Sequence, residues 1–140
     1  FITVTPILRN IVIVSMSAFA LKSFLQSFTI FPQVGNAVFG DRPVIIGFLH
    51  LVFLGFVTLF VLAYFAYKGE LNIKNKFTRF TLVLFTLGVI LNETILLGQG
   101  VGAMLIKSSH LFSWLLWVIS IWLFISTILI AIARKKYSPV

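Results

Sequence analysis

Residues 44–67 read VIIGFLHLVFLGFVTLFVLAYFAY, an apolar stretch that carries no Asp, Glu, Lys or Arg. At a rise of about 1.5 Å per residue, a helix of this length crosses the roughly 30 Å hydrocarbon core of a bilayer. Three further apolar stretches surround it, with polar or glycine-containing segments between them. We predict four membrane-spanning helices, which cover residues 10–31, 44–67, 80–100 and 111–133.

The composition of the whole chain agrees with this fold class. Of its 140 residues, 60% are apolar and 10% are charged, whereas a soluble domain is about half apolar and a quarter charged. Backbone polar groups inside a bilayer have no water to bind, and a helix satisfies them within one segment. We predict an all-α integral membrane protein, a four-helix bundle that forms a single domain over residues 1–140. Because the chain begins with Phe1 and not Met, we expect it to be a fragment of a longer chain.

Basic residues predict the orientation and the surface partner of the bundle. The formal net charge is +8, and short cytoplasmic loops of membrane proteins are rich in Lys and Arg. Four spans place both termini and the middle loop on one side, which would leave only Arg42 and Lys107 on the other. We therefore predict cytoplasmic termini, with the lipid bilayer as partner and no nucleic acid. The basic residues of the predicted cytoplasmic side are Arg9, Lys68, Lys74, Lys76, Arg79, Arg134, Lys135 and Lys136.

The residue types exclude several kinds of chemistry. The chain has no cysteine, which excludes disulfides, thiolate nucleophiles and iron–sulfur clusters. Glu93 is the one acidic residue inside a predicted span, so no carboxylate pair is available for general acid–base hydrolysis.

Polar side chains inside the spans are the candidate functional residues. Counted from the predicted ends of three different spans, Lys22, His50 and Glu93 all lie roughly 8–15 Å below the surface opposite the basic side. Ionisable groups at such depth are costly and usually functional. Lys22 and Glu93 could form an ion pair or lie on a proton or ligand path, together with Gln26 and Asn92. His50 could bind a ligand or join two helices by a hydrogen bond, and we expect His110 to be a surface or capping residue.

Helical periodicity predicts which face of each span points into the bundle. Residues three, four or seven apart share a face of a helix, and small or polar residues favour helix contacts in membranes. The predicted inward faces are Ser15, Lys22, Gln26 and Thr29; Gly47, His50, Leu54 and Thr58; Thr81, Gly88, Asn92 and Gln99; and Ser113, Trp117, Ser120 and Thr127.

One part of the chain resembles a known family. The stretch Arg42-Pro-Val-Ile-Ile-Gly-Phe-Leu-His50-Leu-Val-Phe-Leu-Gly55, with residues 21–26, Pro32 and 39–42 upstream, resembles a bacterial membrane family. That family is similar to subunit I of the haem–copper oxidases and nitric-oxide reductases. The resemblance covers about residues 20–60 and implies the C-terminal part of a longer protein of the bacterial cytoplasmic (inner) membrane. It also implies a haem, with His50 as a haem or metal ligand.

The histidine content departs from that family. A haem–copper centre needs several more histidines than the two in this chain. The other ligands would have to lie on an N-terminal part or another chain, unless this branch has lost the chemistry. Three functions therefore stay open. They are part of a haem-containing oxidase-like membrane protein, a structural or accessory subunit of a larger membrane complex, and part of a transporter.

Overall fold

The computed structural model describes residues 5–32, 35–36, 42–104 and 110–137. Within these residues, four helices are long and apolar enough to cross a membrane. We name them the first to the fourth span, in chain order. The predicted helical membrane protein with four apolar helices is thus confirmed. The helices are Pro6–Ile30, Val44–Tyr67, Lys76–Gly102 and His110–Tyr137.

Local sequence signals explain how the first two spans begin and end. The first span begins at Pro6, where the missing N–H is not needed, and ends in a 3₁₀ turn over Phe28–Ile30. The second span ends at Tyr67, and Gly69 two residues later has a φ of 88°, which suits a residue without a side chain. There the amides of Gly69 and Glu70 donate to the carbonyls of Ala66 and Phe65, which satisfies the last turn of the helix.

The second span changes its helix type along its length. Arg42–His50 and Leu59–Tyr67 are α-helical, but Leu51–Thr58 between them is a π-helix. The π-helix is rare and mostly appears as a single wide turn, frequently at functional sites. The third and fourth spans are continuous α-helices over Lys76–Met104 and His110–Tyr137.

The third span is the central helix of the arrangement. In an apolar 18-residue stretch of the third span, 44% of the residues are buried. The corresponding share is 28% for the second span and 11% each for the first and fourth spans. The first span packs on the second, the second on the third, and the third on the fourth. The first and fourth spans are therefore peripheral and leave most of their apolar surface exposed.

Both ends of the described chain lie at the same end of the molecule as the connection between the second and third spans. The Tyr137 ring lies 6.0 Å from the Phe77 ring, between centroids, and Arg134 contacts Glu70 at 2.9 Å. Leu8 belongs to one core cluster with residues of that connection. We call this the basic end and the opposite end the outer end. The cytoplasmic placement of the basic end stays a prediction. Lys107, which was predicted for the opposite side, lies outside the described residues.

The apolar core lies in the half of the molecule nearest the basic end. It joins the first three spans and the connection after the second. Its buried members are Leu8, Ile11, Leu59, Ala63, Ala66, Leu71, Leu82, Phe85 and Val89.

Burial confirms the predicted inward face of the third span and, in part, that of the first. Thr81, Gly88 and Asn92 are buried, and Gln99 is half-buried. On the first span, the residues of the predicted inward face are not all buried. Ser15 is fully buried, Lys22 and Thr29 are half-buried, and Gln26 is exposed.

The predicted face of the second span is wrong because the prediction assumed α-helical periodicity. The observed buried positions follow every fourth residue from 47 to 63, and His50 is exposed. In an α-helix, residues four apart are offset by about 40° around the axis, so a row of five would drift by about 160° over sixteen residues. A wider helix, with more residues per turn, is needed to keep the row on one side. The π-helical segment supplies this width. The buried row is Gly47, Leu51, Gly55, Leu59 and Ala63.

The predicted face of the fourth span is also wrong. Ser113, Trp117, Ser120 and Thr127 are exposed, whereas Ile119, Ser126 and Ala133 are buried at a seven-residue spacing. That spacing is typical of two helices that coil around each other. The position of Trp122 explains the choice of face. Its indole N–H donates to the Leu84 carbonyl at 3.1 Å and its ring closes over Gly88, where no Cβ would fit.

Candidate functional site

Three spans converge on a buried carboxylate in the outer half of the molecule. Glu93 is 7% exposed and Asn92 is 5% exposed, and the Asn92 amide donates to Glu93 Oε1 at 3.4 Å. A Cβ on Gly55 of the second span would lie 3.9 Å from Glu93 Cγ and 3.1 Å from the Cβ of Ala18 on the first span. Gly55 thus lets the first span approach the second and leaves room for the Glu93 side chain.

Hydroxyl groups hold the π-helical segment in place. The fully buried Ser15 of the first span donates to the Phe56 carbonyl at 2.9 Å. Thr58 donates to the Phe53 carbonyl, five residues back, at 2.8 Å. Both bonds engage backbone oxygens of the segment, so the wide turn is supported from a neighbouring span and from within. The periodicity of the sequence did not predict the π-helical segment. It did place Ser15 on the inward face of the first span, but it did not identify the carbonyl of Phe56 as its partner.

His50 is the residue immediately before the π-helical segment. Its Nδ1 lies 3.0 Å from the Ile46 carbonyl oxygen, which can only accept a hydrogen bond. In the neutral ring this places the proton on Nδ1 and leaves the Nε2 lone pair available. The ring is exposed and lines a shallow groove of about 290 Å³, together with Leu49, Phe53, Leu54 and Thr58.

The structure brings some of the predicted site residues together and leaves others apart. His50 lies on the second span between Gly47, which faces Leu96 of the third span, and Gly55, which faces Glu93. The imidazole is exposed and the carboxylate is buried. Lys22 is half-buried, one helical turn beyond Ala18 toward the outer end, which places it at about the level of His50. Gln26 lies a further turn outward and is exposed, apart from the buried pair.

An ion pair between Lys22 and Glu93 is not formed in the described part of the chain. The ion pair found among those residues joins Arg134 to Glu70 at the basic end. Glu93 keeps the Asn92 amide as its hydrogen-bonding neighbour. A proton or ligand path through Lys22, Gln26, Asn92 and Glu93 remains a prediction.

The donor set limits what this chain could bind. Among the described residues, no three His, Cys, Asp or Glu side chains lie close enough together to hold a metal ion. His110 is exposed at the start of the fourth span, beside Ser113, Trp114 and Trp117. A metal or haem held at His50 would therefore need further ligands from outside the described part of this chain.

Comparison of the chain with protein-family models, with curated proteins and with solved structures finds no match. The function therefore has to be inferred from the chemistry of the site itself.

Proposed function

We propose that this chain is part of a larger haem-containing, oxidase-like membrane protein, in which His50 faces the rest of the assembly and supplies one haem ligand. The observation that supports this is the exposed imidazole ring, whose Nδ1 is bonded to the Ile46 carbonyl, so that in the neutral ring Nε2 carries the lone pair. The assembly would lie in a bacterial cytoplasmic membrane, as the resemblance implies.

An exposed imidazole within an apolar span is expected to contact other protein or water and not the lipid chains. His50 lies six residues inside the second span, about 9 Å from its outer end, and therefore within the hydrocarbon region. Ionisable residues at such positions almost always face protein or a water-filled cavity and not lipid. The His50 groove is thus the face that another chain, or another part of a longer chain, would cover.

The residues around His50 fit one side of a haem. Leu49, Phe53 and Leu54 would form an apolar wall, and the Ile46 carbonyl would orient the imidazole. Histidine ligands usually donate their second N–H to such a carbonyl, which raises the basicity of the ligating nitrogen. When bound, the haem would supply electron-transfer or oxygen chemistry.

The residues behind His50 would serve proton movement. Glu93 is the buried carboxyl group nearest the proposed ligand, and Asn92 orients one of its oxygens. Lys22 and Gln26 would extend this path toward the outer end. Each of these groups can hold a proton or a hydrogen bond at the depth where the bilayer itself offers none.

A structural or accessory subunit is the second candidate function. Trp114 is 67% exposed and Trp117 is 60% exposed on the fourth span, a face that could lie against another helix. On this interpretation the His50 ring, already bonded within its own helix, would contact a partner helix and bind no cofactor.

An optical spectrum tests the proposal. The protein is purified gently with whatever co-purifies, and its spectrum is recorded oxidised and after reduction with dithionite. We expect a Soret band with resolved α and β bands, lost in His50→Ala and retained in His110→Ala, with unchanged helical circular dichroism in both.

A colourless preparation that remains assembled would overturn the haem proposal and favour the structural role. If His50→Ala kept the haem spectrum, the protein would still contain haem, and the assignment of His50 as its ligand would be overturned. If His50→Ala instead dissociated co-purifying chains from a colourless protein, the histidine would be an interhelical contact.

A further inference from the structure

A groove between the first and second spans opens at the basic end of the molecule. It has a volume of about 440 Å³, with Arg9 and Ile13 on one wall and Tyr64 and Tyr67 on the other. The buried Ala63 forms part of its floor, where the small side chain keeps the groove deep. The groove is almost entirely apolar, except at the rim.

Two basic side chains belong to this part of the groove, Arg9 as a lining residue and Lys68 through its neighbour Tyr64. Arg9 lines the groove directly and is exposed, and Lys68 Nζ lies 5.7 Å from the centroid of the Tyr64 ring. Acidic groups are scarce in the chain, and in the described residues the one at this end, Glu70, pairs with Arg134 of the fourth span. Within that part of the chain, neither Arg9 nor Lys68 forms an ion pair.

The length of the groove favours a lipid over a protein helix. Along the second span it reaches from Tyr67 to Phe60, about 10 Å into the membrane. A spanning partner helix would need a contact surface across the roughly 30 Å core. The upper part of an acyl chain needs only the shorter distance.

We propose that this groove binds an anionic phospholipid. Its phosphate would lie between Arg9 and Lys68, and one acyl chain would run over Ala63 beside Ile13. The hydroxyls of Tyr64 and Tyr67 can donate to phosphate oxygens, and tyrosines are favoured at the level of the headgroups. Basic residues at a membrane surface attract anionic lipids in this way.

Lipid binding to the purified chain tests this site. Native mass spectrometry in detergent counts bound phosphatidylglycerol during a titration, with phosphatidylcholine of the same acyl chains as the neutral comparison. Each cation near an anionic lipid contributes about a fivefold change in affinity. We expect Arg9→Gln with Lys68→Gln to weaken phosphatidylglycerol binding by roughly thirtyfold, and phosphatidylcholine binding to change little.

A control variant distinguishes the effect of losing Arg9 and Lys68 from the effect of lowering the net charge of the protein. Lys74→Gln with Lys135→Gln removes the same charge from exposed positions that do not line the groove, and should change binding by less than about twofold. Ile13→Trp leaves the charges and narrows the groove from a 54% exposed position, so it should also displace the lipid. Circular dichroism without added lipid confirms that each variant is folded.

Three results would overturn the proposal. Equal losses in the two charge variants would show a nonspecific effect of net charge. Equal binding of phosphatidylglycerol and phosphatidylcholine by the unmodified chain would show that the rim does not recognise the anion. Unchanged binding in a folded Ile13→Trp variant would show that no acyl chain occupies the groove.

Discussion

The two halves of the second span pack against their neighbours in different ways. Toward the basic end, Leu59, Ala63 and Ala66 are buried among apolar side chains of the first and third spans. From its middle toward the outer end, the second span has Gly55 against Ala18 and Gly47 against Leu96, and the groups nearby are the polar Ser15 and the Asn92–Glu93 pair. Helix contacts in a membrane depend on close packing, because lipid is as apolar as leucine. The inner half should therefore contribute most of the stability, and the outer half should carry the polar chemistry.

The largest effect should come from a cavity in the inner half. Leu82 is 1% exposed, and Leu82→Ala should destabilise the fold by roughly 2–4 kcal/mol, since neighbouring helices only partly fill the space. Denaturation by SDS, followed by circular dichroism, measures this. Leu87→Ala on the same helix, from a side chain that is 49% exposed, should change little. Equal losses in the two variants would contradict the assignment of the core to this half.

Overfilling the contact in the outer half should cost less. In Gly55→Ala the new methyl group would lie 3.1 Å from the Cβ of Ala18, which cannot rotate away, so the first and second spans must separate. We expect a loss of about 1–2 kcal/mol, because the better helix propensity of alanine offsets part of the strain. Gly98→Ala is the matched control, since its methyl group would meet Phe112 at an ordinary 3.5 Å. A Gly55→Ala protein as stable as Gly98→Ala would refute the close approach.

Removal of one hydrogen bond to the π-helical segment should cost less again. Ser15→Ala leaves the Phe56 carbonyl without its hydroxyl donor, and interhelical bonds in membranes contribute about 0.6 kcal/mol on average. Ser17→Ala is the comparison, because its hydroxyl donates within its own helix to Ile13. Equal stability of the two variants, in the same SDS denaturation, would show that the bond to the segment contributes nothing.

The smallest effect should come from the ion pair at the basic end. Arg134 and Glu70 are 62% and 50% exposed, and such surface pairs contribute about 0.2–1 kcal/mol. A double-mutant cycle with Arg134→Gln and Glu70→Gln measures the coupling, which should shrink as salt is raised. A coupling that is larger than that range and insensitive to salt would mean that the pair is shielded from water.

The order of these effects distinguishes the two halves. If Gly55→Ala or Ser15→Ala destabilised the fold more than Leu82→Ala, the polar outer half would be the main source of stability.

Some of the site was predictable from the positions of polar residues in apolar stretches. Depth along each predicted helix placed His50 and Glu93 at similar levels, and in the structure Glu93 lies against Gly55, five residues from His50 along the second span. The buried row of the second span beyond Leu51 was not predictable, because the π-helical segment changes the periodicity on which such a prediction depends. The same limit applies to the fourth span, where the fit of Trp122 over Gly88 selects the buried face.

The sequence by itself determined the class of this protein and the number of its apolar helices, since hydrophobic length and the need to satisfy backbone hydrogen bonds are properties of each segment alone. The tertiary structure alone decided which faces meet, where Glu93 is buried and why His50 remains exposed. Those outcomes depend on contacts between segments far apart in the chain, such as Ser15 with Phe56 and Gly55 with Ala18. A local sequence pattern does not contain that information, because in a membrane an apolar side chain gains no hydrophobic free energy when it moves from lipid to another helix.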